Sequence, residues 1–319
     1  MYGKGLDCLF PLYRSIEGYG DKLRVRCGSC LNCKMFKREE WCLRLQLESK
    51  YWNNMSFVTL TYDNEHLPLN EVTTFEVNED GQDEKIVFHF PTLADIHIHD
   101  FVKFLRNHKE GEIHDFGFTK SGERDIRRGF RYFAVGEYGT RFGRPHYHIM
   151  FFGIGSDSLS RRIMEIGWNK GFIKVEPFTP ERCVYIAGYV QKKLFENSEL
   201  QKNIYRFKLR EFLRCSQHLG EQFVIEHQEE FDDEHCYFIQ NGYKKPVPRQ
   251  LRKVLIKLGR ISEQSQIEMS LRQQYERDEL FRNLNLKRAD LPDFFRNRLE
   301  LAKQRNARTL SKRFKTGDI

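Results

Sequence analysis

No stretch of this 319-residue chain is apolar for long enough to cross a bilayer. Its longest apolar runs, of which Ile149–Gly155 is typical, fall far short of the roughly 20 residues a membrane helix needs, so no membrane partner is expected. The first residues, Met1-Tyr2-Gly3-Lys4-Gly5-Leu6-Asp7-Cys8, lack the apolar centre of a secretory signal, and a cytoplasmic setting is the expectation. There is no G-x-x-x-x-G-K-[ST] loop to cradle a nucleoside triphosphate. No nucleotide cofactor is therefore expected, and strand unwinding would fall to another protein. No internal repeat is evident.

What is present fits a globular protein. Hydrophobic residues make up 39% and aromatics 14%, and the length suffices for one large domain or two smaller ones. The net charge of +8 is uneven. Residues 241–319 hold 20 Lys and Arg against 9 Asp and Glu, a balance of +11, whereas the first 240 hold 33 against 36. A basic C-terminal region on a near-neutral body points to a polyanionic partner, most simply nucleic acid.

Eight cysteines in a cytosolic chain are unsuited to a disulfide framework. Cys27, Cys30 and Cys33 form C-x-x-C-x-x-C, and with Cys8 they make a candidate tetrahedral four-cysteine structural zinc site, with Cys42 as a competing fourth ligand. Cys183, Cys215 and Cys236 are scattered and read as ordinary thiols.

Periodicity predicts a helix over Cys33–Trp52 and a strand over Ser56–Tyr62. An acidic hairpin follows at about 70–90, turning near Glu79-Asp80-Gly81-Gln82. A Thr-capped helix is expected over Thr92–Asn107, with Leu93, Ile96, Phe101, Phe104 and Leu105 on its apolar face. Its His97 and His99 are two apart on a helix, point some 200° from each other, and so cannot share an ion. Strands Arg131–Glu137 and His146–Gly153, helix Ser158–Gly167, strand Phe172–Phe178 and helix Pro180–Leu194 come next. Asn203–His218 reads as helical, Cys236–Ile239 as a strand, and Ile261–Lys315 as a charged helical region broken near Pro292. Short turns between adjacent strands favour an α+β fold, an antiparallel sheet flanked by helices. The expected layout is a Cys-rich segment and helix at 1–52, a core at 53–195, and a mostly helical basic region at 196–319.

Two segments carry candidate chemistry. In Gly143-Arg144-Pro145-His146-Tyr147-His148, strand alternation sets His146 and His148 on one face and Tyr147 on the other. A tight hairpin centred near Arg141–Phe142 sets Glu137 opposite His146, completing a two-imidazole, one-carboxylate set suited to Mn2+ or Mg2+. In Tyr185-Ile186-Ala187-Gly188-Tyr189-Val190-Gln191-Lys192-Lys193, the two phenols are one helical turn apart and the lysines reach the same region. A phenol needs a polarised phosphate and a nearby cation before it attacks at neutral pH.

In this order the segments resemble the HUH endonucleases of rolling-circle replication. Within them they are similar to replication initiators of small single-stranded DNA phages, the Microviridae of gokushovirus type. Phe57-Val58-Thr59-Leu60-Thr61-Tyr62-Asp63 resembles the first motif, the histidine segment the second and the tyrosine helix the third. The early cysteine segment looks like that family's start, and Asn241-Gly242-Tyr243-Lys244-Lys245-Pro246-Val247-Pro248-Arg249 is a weaker echo. The resemblance implies an HUH, Rep-like sheet and an enzyme of the host bacterial cytoplasm. That enzyme nicks supercoiled or single-stranded circular DNA at the origin, keeps a 5′-phosphotyrosine link, and later rejoins the strand. Tyr189 would make the first nick, with Lys192 at i+3, and Tyr185 the second transfer. Arg144, Lys193, Lys244, Lys245 and Arg249 become candidate DNA contacts. Host helicase and polymerase become partners. Rival readings are a transposase or plasmid relaxase with the same histidine pair, a non-catalytic zinc-ribbon DNA-binding protein, and a His-x-His phosphohydrolase of small nucleotides.

Overall fold

The computed structural model describes residues 8, 10–20, 22–77, 82–108, 129–139, 142–192, 208–240 and 242–283. In chain order its elements open with strands β1 (Leu12–Ser15) and β2 (Lys22–Val25), helix α1 (Leu31–Ser49) and strand β3 (Met55–Tyr62). Strands β4 (Leu69–Val77) and β5 (Asp83–Pro91), helix α2 (Asp95–Asn107), and strands β6 (Arg131–Tyr138) and β7 (Pro145–Phe152) follow. Then come helix α3 (Ser158–Gly167), strand β8 (Gly171–Pro177), helix α4 (Pro180–Lys192), strand β9 (Phe212–Cys215) and helix α5 (Glu221–Glu226). Strands β10 (Tyr237–Gln240) and β11 (Tyr243–Pro246) and helices α6 (Arg249–Lys257) and α7 (Glu263–Asn283) complete the described chain. Among the described residues no helix is long and apolar enough to cross a membrane.

The fold is α+β, and the chain divides into two compact units. Residues 37–227 hold a five-stranded antiparallel sheet in the order β8-β3-β7-β6-β9. Strand β7 is central and buried on both faces, which is why its sequence is almost continuously apolar after Tyr147. Tyr147, Ile149 and Phe151 join Ile98, Phe101, Val102 and Leu105 of α2 and Ile163 and Met164 of α3 in one core cluster. Met150 and Phe152 face the other way, packing with Leu45 of α1 and Cys183, Ile186 and Tyr189 of α4. The acidic hairpin β4–β5 is a separate two-stranded sheet, and residues 78–81 of its turn lie outside the described residues.

Three local expectations are corrected. Residues 212–215 form an edge strand, β9, rather than a helix, pairing with β6 from Phe133↔Cys215 to Gly136↔Phe212, while residues 203–207 lie outside the described residues. The reason is burial with period two: Phe212 enters one core cluster, against Cβ-less Gly136, and Leu213 packs on the other. Helix α2 starts at Asp95 with Ala94 as an uncapped N-cap, because the Thr92 hydroxyl accepts the Leu209 N–H instead. Its buried stripe is Ile98, Phe101, Val102 and Leu105, and Ile96 is exposed. The tight turns and short strands of 208–246 carry too few periods to be read from sequence.

The second unit comprises the described residues among 1–36 and 228–283. Its β1–β2 ribbon is tied to α7 through Gln274, which accepts the Arg24 N–H at 2.8 Å and donates to the Lys22 carbonyl at 3.2 Å. The strand expected near 236–239 is β10, which forms a hairpin with β11. Of the charged region 261–315, α7 is helical to Asn283, and the rest lies outside the described residues.

Candidate active site

The register of the β6–β7 hairpin decides what faces His146. Gly143 takes φ 61°, a left-handed conformation that favours glycine, and its N–H donates to the Gly139 carbonyl at 2.9 Å. The Gly139 N–H donates to the Arg144 carbonyl, also at 2.9 Å. Residues 140–141 of the turn, Arg141 among them, lie outside the described residues. This closure pairs Glu137 with His146 across the strands, so the two share a face.

His146 Nε2 lies 2.7 Å and His148 Nε2 3.3 Å from the same oxygen, Glu137 Oε1. The three prospective ligand atoms all lie within 4.8 Å of one another. His146 Nδ1 is 3.3 Å from the Arg144 carbonyl oxygen, which can only accept, so Nδ1 carries the proton and Nε2 turns its lone pair toward the carboxylate. A lone pair facing a carboxylate oxygen calls for a cation between them. Ligands at about 2.1 Å and right angles around one ion stand about 3 Å apart, which brackets the observed spacings. The residues present therefore fit a divalent cation. His148 Nδ1 is supported by the Thr59 hydroxyl at 3.1 Å. Sequence alone assigns Thr59 no role, though its place on β3, opposite His148, is implied by the alternation of Phe57-Val58-Thr59-Leu60-Thr61.

Helix α4 lays both tyrosines on this centre. The Tyr189 ring stacks on His148, centroids 4.8 Å apart and planes at 17°, while Tyr185 meets His148 edge-on at 5.7 Å. The Tyr189 hydroxyl donates to that of Tyr185. Tyr189 is 6% exposed and Tyr185 43%, so one phenol is deep and the other faces solvent. Burial first, then the Glu137 charge and the bond to Tyr185, holds the Tyr189 phenol far above its ordinary value. Lys192 is the last residue of α4, but its side chain and all of Lys193 lie outside the described residues.

Arg144 is drawn inward. Its guanidinium donates to Asn64 Oδ1 at 2.9 Å and to the carbonyls of Tyr62 and Asp63 at 3.0 and 3.2 Å, pinning the hairpin to the end of β3. His97 and His99 stay apart, as helical spacing predicts: His97 Nδ1 is 2.7 Å from the Tyr62 hydroxyl and His99 Nδ1 is 3.4 Å from Asp100.

Residues 55–194, from the start of β3 through α4, match the family model for the replication-associated protein ORF2/gene 2 protein. That segment contains the whole of the Glu137, His146, His148, Tyr185 and Tyr189 cluster. Residues 55–194 belong to this replication-associated family. The chain is 30% identical over 219 residues to the replication-associated protein ORF2 of Spiroplasma virus 4, covering 64% of this chain and 58% of that protein. It is 23% identical over 270 residues to the replication-associated protein VP4 of Bdellovibrio phage phiMH2K, covering 76% and 75%. It is 25% identical over 260 residues to the replication-associated protein ORF4 of Chlamydia phage 1, covering 76% of this chain but 55% of that protein. The chain thus spans little more than half the length of the Spiroplasma and Chlamydia phage proteins. No solved structure matches.

The cysteine cluster lies outside the segment matched by the family model, in the other unit. Cys8, Cys27, Cys30 and Cys33 bring their sulfurs within 4.8 Å of one another, with Cys8–Cys30 and Cys27–Cys33 each at 3.9 Å. Four sulfurs at about 2.3 Å around a tetrahedral zinc stand about 3.8 Å apart. The Cys27 N–H donates to Cys8 Sγ and the Cys30 N–H to Cys27 Sγ, both at 3.3 Å. Burial opposes ionisation of Cys27, but hydrogen bonds from Ser29 and the Cys30 N–H outweigh it and bring that thiol down to about 6. Cys42 instead packs beside Leu45 and Trp52 in the other unit, so the fourth position goes to Cys8. Lys244 and Lys245 stand on β11, with the Lys244 ammonium 4.0 Å over the Tyr237 ring, and Arg249 opens α6.

Proposed function

We propose that this chain initiates rolling-circle replication of a small circular phage genome by nicking one strand onto a tyrosine. The observation that carries the reading is the convergence of Glu137, His146 and His148 within 4.8 Å beneath the two phenols of α4, inside the segment that matches replication-associated proteins. The nuclease domain on this reading is 53–195, with an HUH, Rep-like arrangement of sheet and tyrosine helix.

Glu137, His146 and His148 would hold Mg2+ or Mn2+. When bound, the ion polarises a phosphate oxygen and neutralises the Glu137 charge that opposes a Tyr189 phenolate. Tyr189 attacks the scissile phosphorus: a Tyr–O–P bond forms, the P–O3′ bond breaks, and the departing oxygen takes up a proton as the 3′-hydroxyl. Tyr185 accepts the hydrogen bond of Tyr189 and so orients the attacking oxygen. Lys192, one turn beyond Tyr189, is assigned to charge stabilisation. The phosphotyrosine keeps the bond energy, so Tyr185 can make a second transfer and the strand can be rejoined without a nucleotide cofactor. The free 3′-hydroxyl would serve a host polymerase, with a host helicase opening the duplex in the bacterial cytoplasm. The test is incubation with single-stranded origin DNA and Mn2+ on denaturing gels. A covalent protein–DNA adduct is expected, and its absence across all origin fragments sinks the reading.

The four cysteines are assigned a structural zinc. Protein purified under reducing conditions is expected to retain about one zinc per chain through dialysis, and Cys30→Ser to lose it and destabilise the N-terminal segment. Metal analysis finding no zinc leaves them plain thiols.

The basic C-terminal region, with Lys244, Lys245 and Arg249, is assigned to phosphate contact, as are Arg144 and Lys193. Residues 284–319 hold 10 Lys and Arg against 4 Asp and Glu. Truncation after Asn283 spares α7 and its Gln274 bonds to β2. It is expected to weaken single-strand binding and flatten its salt dependence, by about 0.7 in log–log slope for each phosphate no longer neutralised, with nicking of short oligonucleotides retained. An unchanged salt slope assigns the tail to some other partner.

A further inference from the structure

Strand β8 is an edge strand, and its residues alternate cleanly: Ile173 and Val175 face the core shared with α2 and α3, while Phe172, Lys174 and Glu176 face the side that carries the metal ligands. Thr61 pairs with both Phe172 and His146, so Phe172, Thr61, His146 and Glu137 form one row across the sheet. Helix α4 crosses this face on a diagonal. At its first turn Arg182 binds Glu176 of β8 at 2.8 Å, and two turns later Tyr189 stacks on His148 of β7. The corner occupied by Thr61 and Phe172 is left uncovered. Phe172 is 71% exposed there, and the Lys174 side chain beside it is likewise 71% exposed.

We propose that Phe172 is a stacking platform for a base of the single strand flanking the scissile phosphate, with Lys174 holding that strand's backbone. An apolar ring this exposed on a charged edge strand gains nothing from folding, whereas every nucleobase offers it a face. The ring stands two strands from His146, roughly 10 Å along the sheet. That is about three stacked nucleotides at 3.4 Å each, or fewer in an extended strand. The corner is continuous with the half-exposed Tyr185, so a strand leaving the tyrosines has an open path to it. The ammonium of Lys174, 3.3 Å from Glu176, supplies the complementary charge. Phe172 is thus a positioning residue, and the inference rests on the nicking reading for its register but not for its test.

Binding of an oligo-dT of about 20 nucleotides, longer than one single-strand groove covers, is measured with the full chain in EDTA, where no cleavage occurs. Phe172→Ala is expected to weaken it roughly tenfold, the range for removal of one base stack, with an unchanged salt slope. Phe172→Trp is expected to keep the wild-type affinity and to show quenching of the introduced indole on binding. Lys174→Ala is expected to lower the salt slope by about 0.7. Phe172→Ala binding within about twofold of wild type, or an indole that does not respond, overturns the proposal. So does a Phe172→Ala variant altered only in self-association by sedimentation. Because these readouts need no metal, a protein that cleaves but shows no quenching loses the platform alone, and one that quenches but never cleaves loses the nicking reading alone.

Discussion

Alanine at His146 or His148 is expected to abolish strand cleavage, a loss of at least roughly 10²–10³-fold, the scale of removing one preorganised electrostatic contact. Single-strand affinity is expected to persist, because it comes mostly from Lys and Arg contacts to phosphates. Both imidazoles turn Nε2 toward Glu137 Oε1, so removing either leaves a two-ligand site. Glu137→Ala is expected to act less cleanly, since water can replace one oxygen ligand, and to raise the metal concentration needed. His148→Ala also removes the ring on which Tyr189 stacks, so His146→Ala, which leaves the stack intact, is the better single test. Cleavage on denaturing gels with Mn2+ and binding by anisotropy in EDTA separate the two effects. Full nicking by the double His→Ala variant ends the metal proposal.

Loss of the phenols should divide unequally. Tyr189 lies closest to the metal ligands, stacked on His148, and its hydroxyl is the donor in its bond to Tyr185. Tyr189→Phe is therefore expected to lose most covalent adduct on a single-stranded origin oligonucleotide, Tyr185→Phe to retain it, and the double variant to form none. Phenylalanine keeps the stack on His148 and the packing of α4, so a loss reports on the hydroxyl and not on folding. Mass spectrometry of the trapped adduct identifies the attacking residue. A 5′-phosphate found on Tyr185 alone reverses the order, and a label on neither removes the helix from the mechanism. The opposing consideration is burial, which together with the Glu137 charge holds the Tyr189 phenol above its ordinary value. Adduct formation by Tyr189 should accordingly depend on divalent metal more steeply than binding does.

Much of the site was legible because its determinants are local. Strand alternation alone puts His146 and His148 on one face, and helical spacing alone puts Tyr185 beside Tyr189. The partner of His146 was legible as well, since the chain turns back within a few residues and Gly143 favours the conformation that sets the register to Glu137. The helical rule likewise disposed of His97 and His99 correctly, and the structure finds each with its own nearby partner.

Tertiary structure decided what depends on contacts distant in sequence. Phe212 to Cys215 have no strong local preference and became a strand because β6 offered an unpaired edge and both core clusters offered room for alternate side chains. The Thr92 hydroxyl was drawn from a helix cap to the Leu209 N–H, over a hundred positions away. The choice between Cys8 and Cys42 turned on which sulfur the chain returned to Cys27, Cys30 and Cys33. Long-range packing also set the diagonal path of α4, which leaves Phe172 uncovered at the open corner of the metal face. The sequence by itself determined which side chains share a face of each element, through the fixed periods of strand and helix. Which faces then meet, and which stay open to solvent, follows from long-range burial and hydrogen bonding, which no local period encodes.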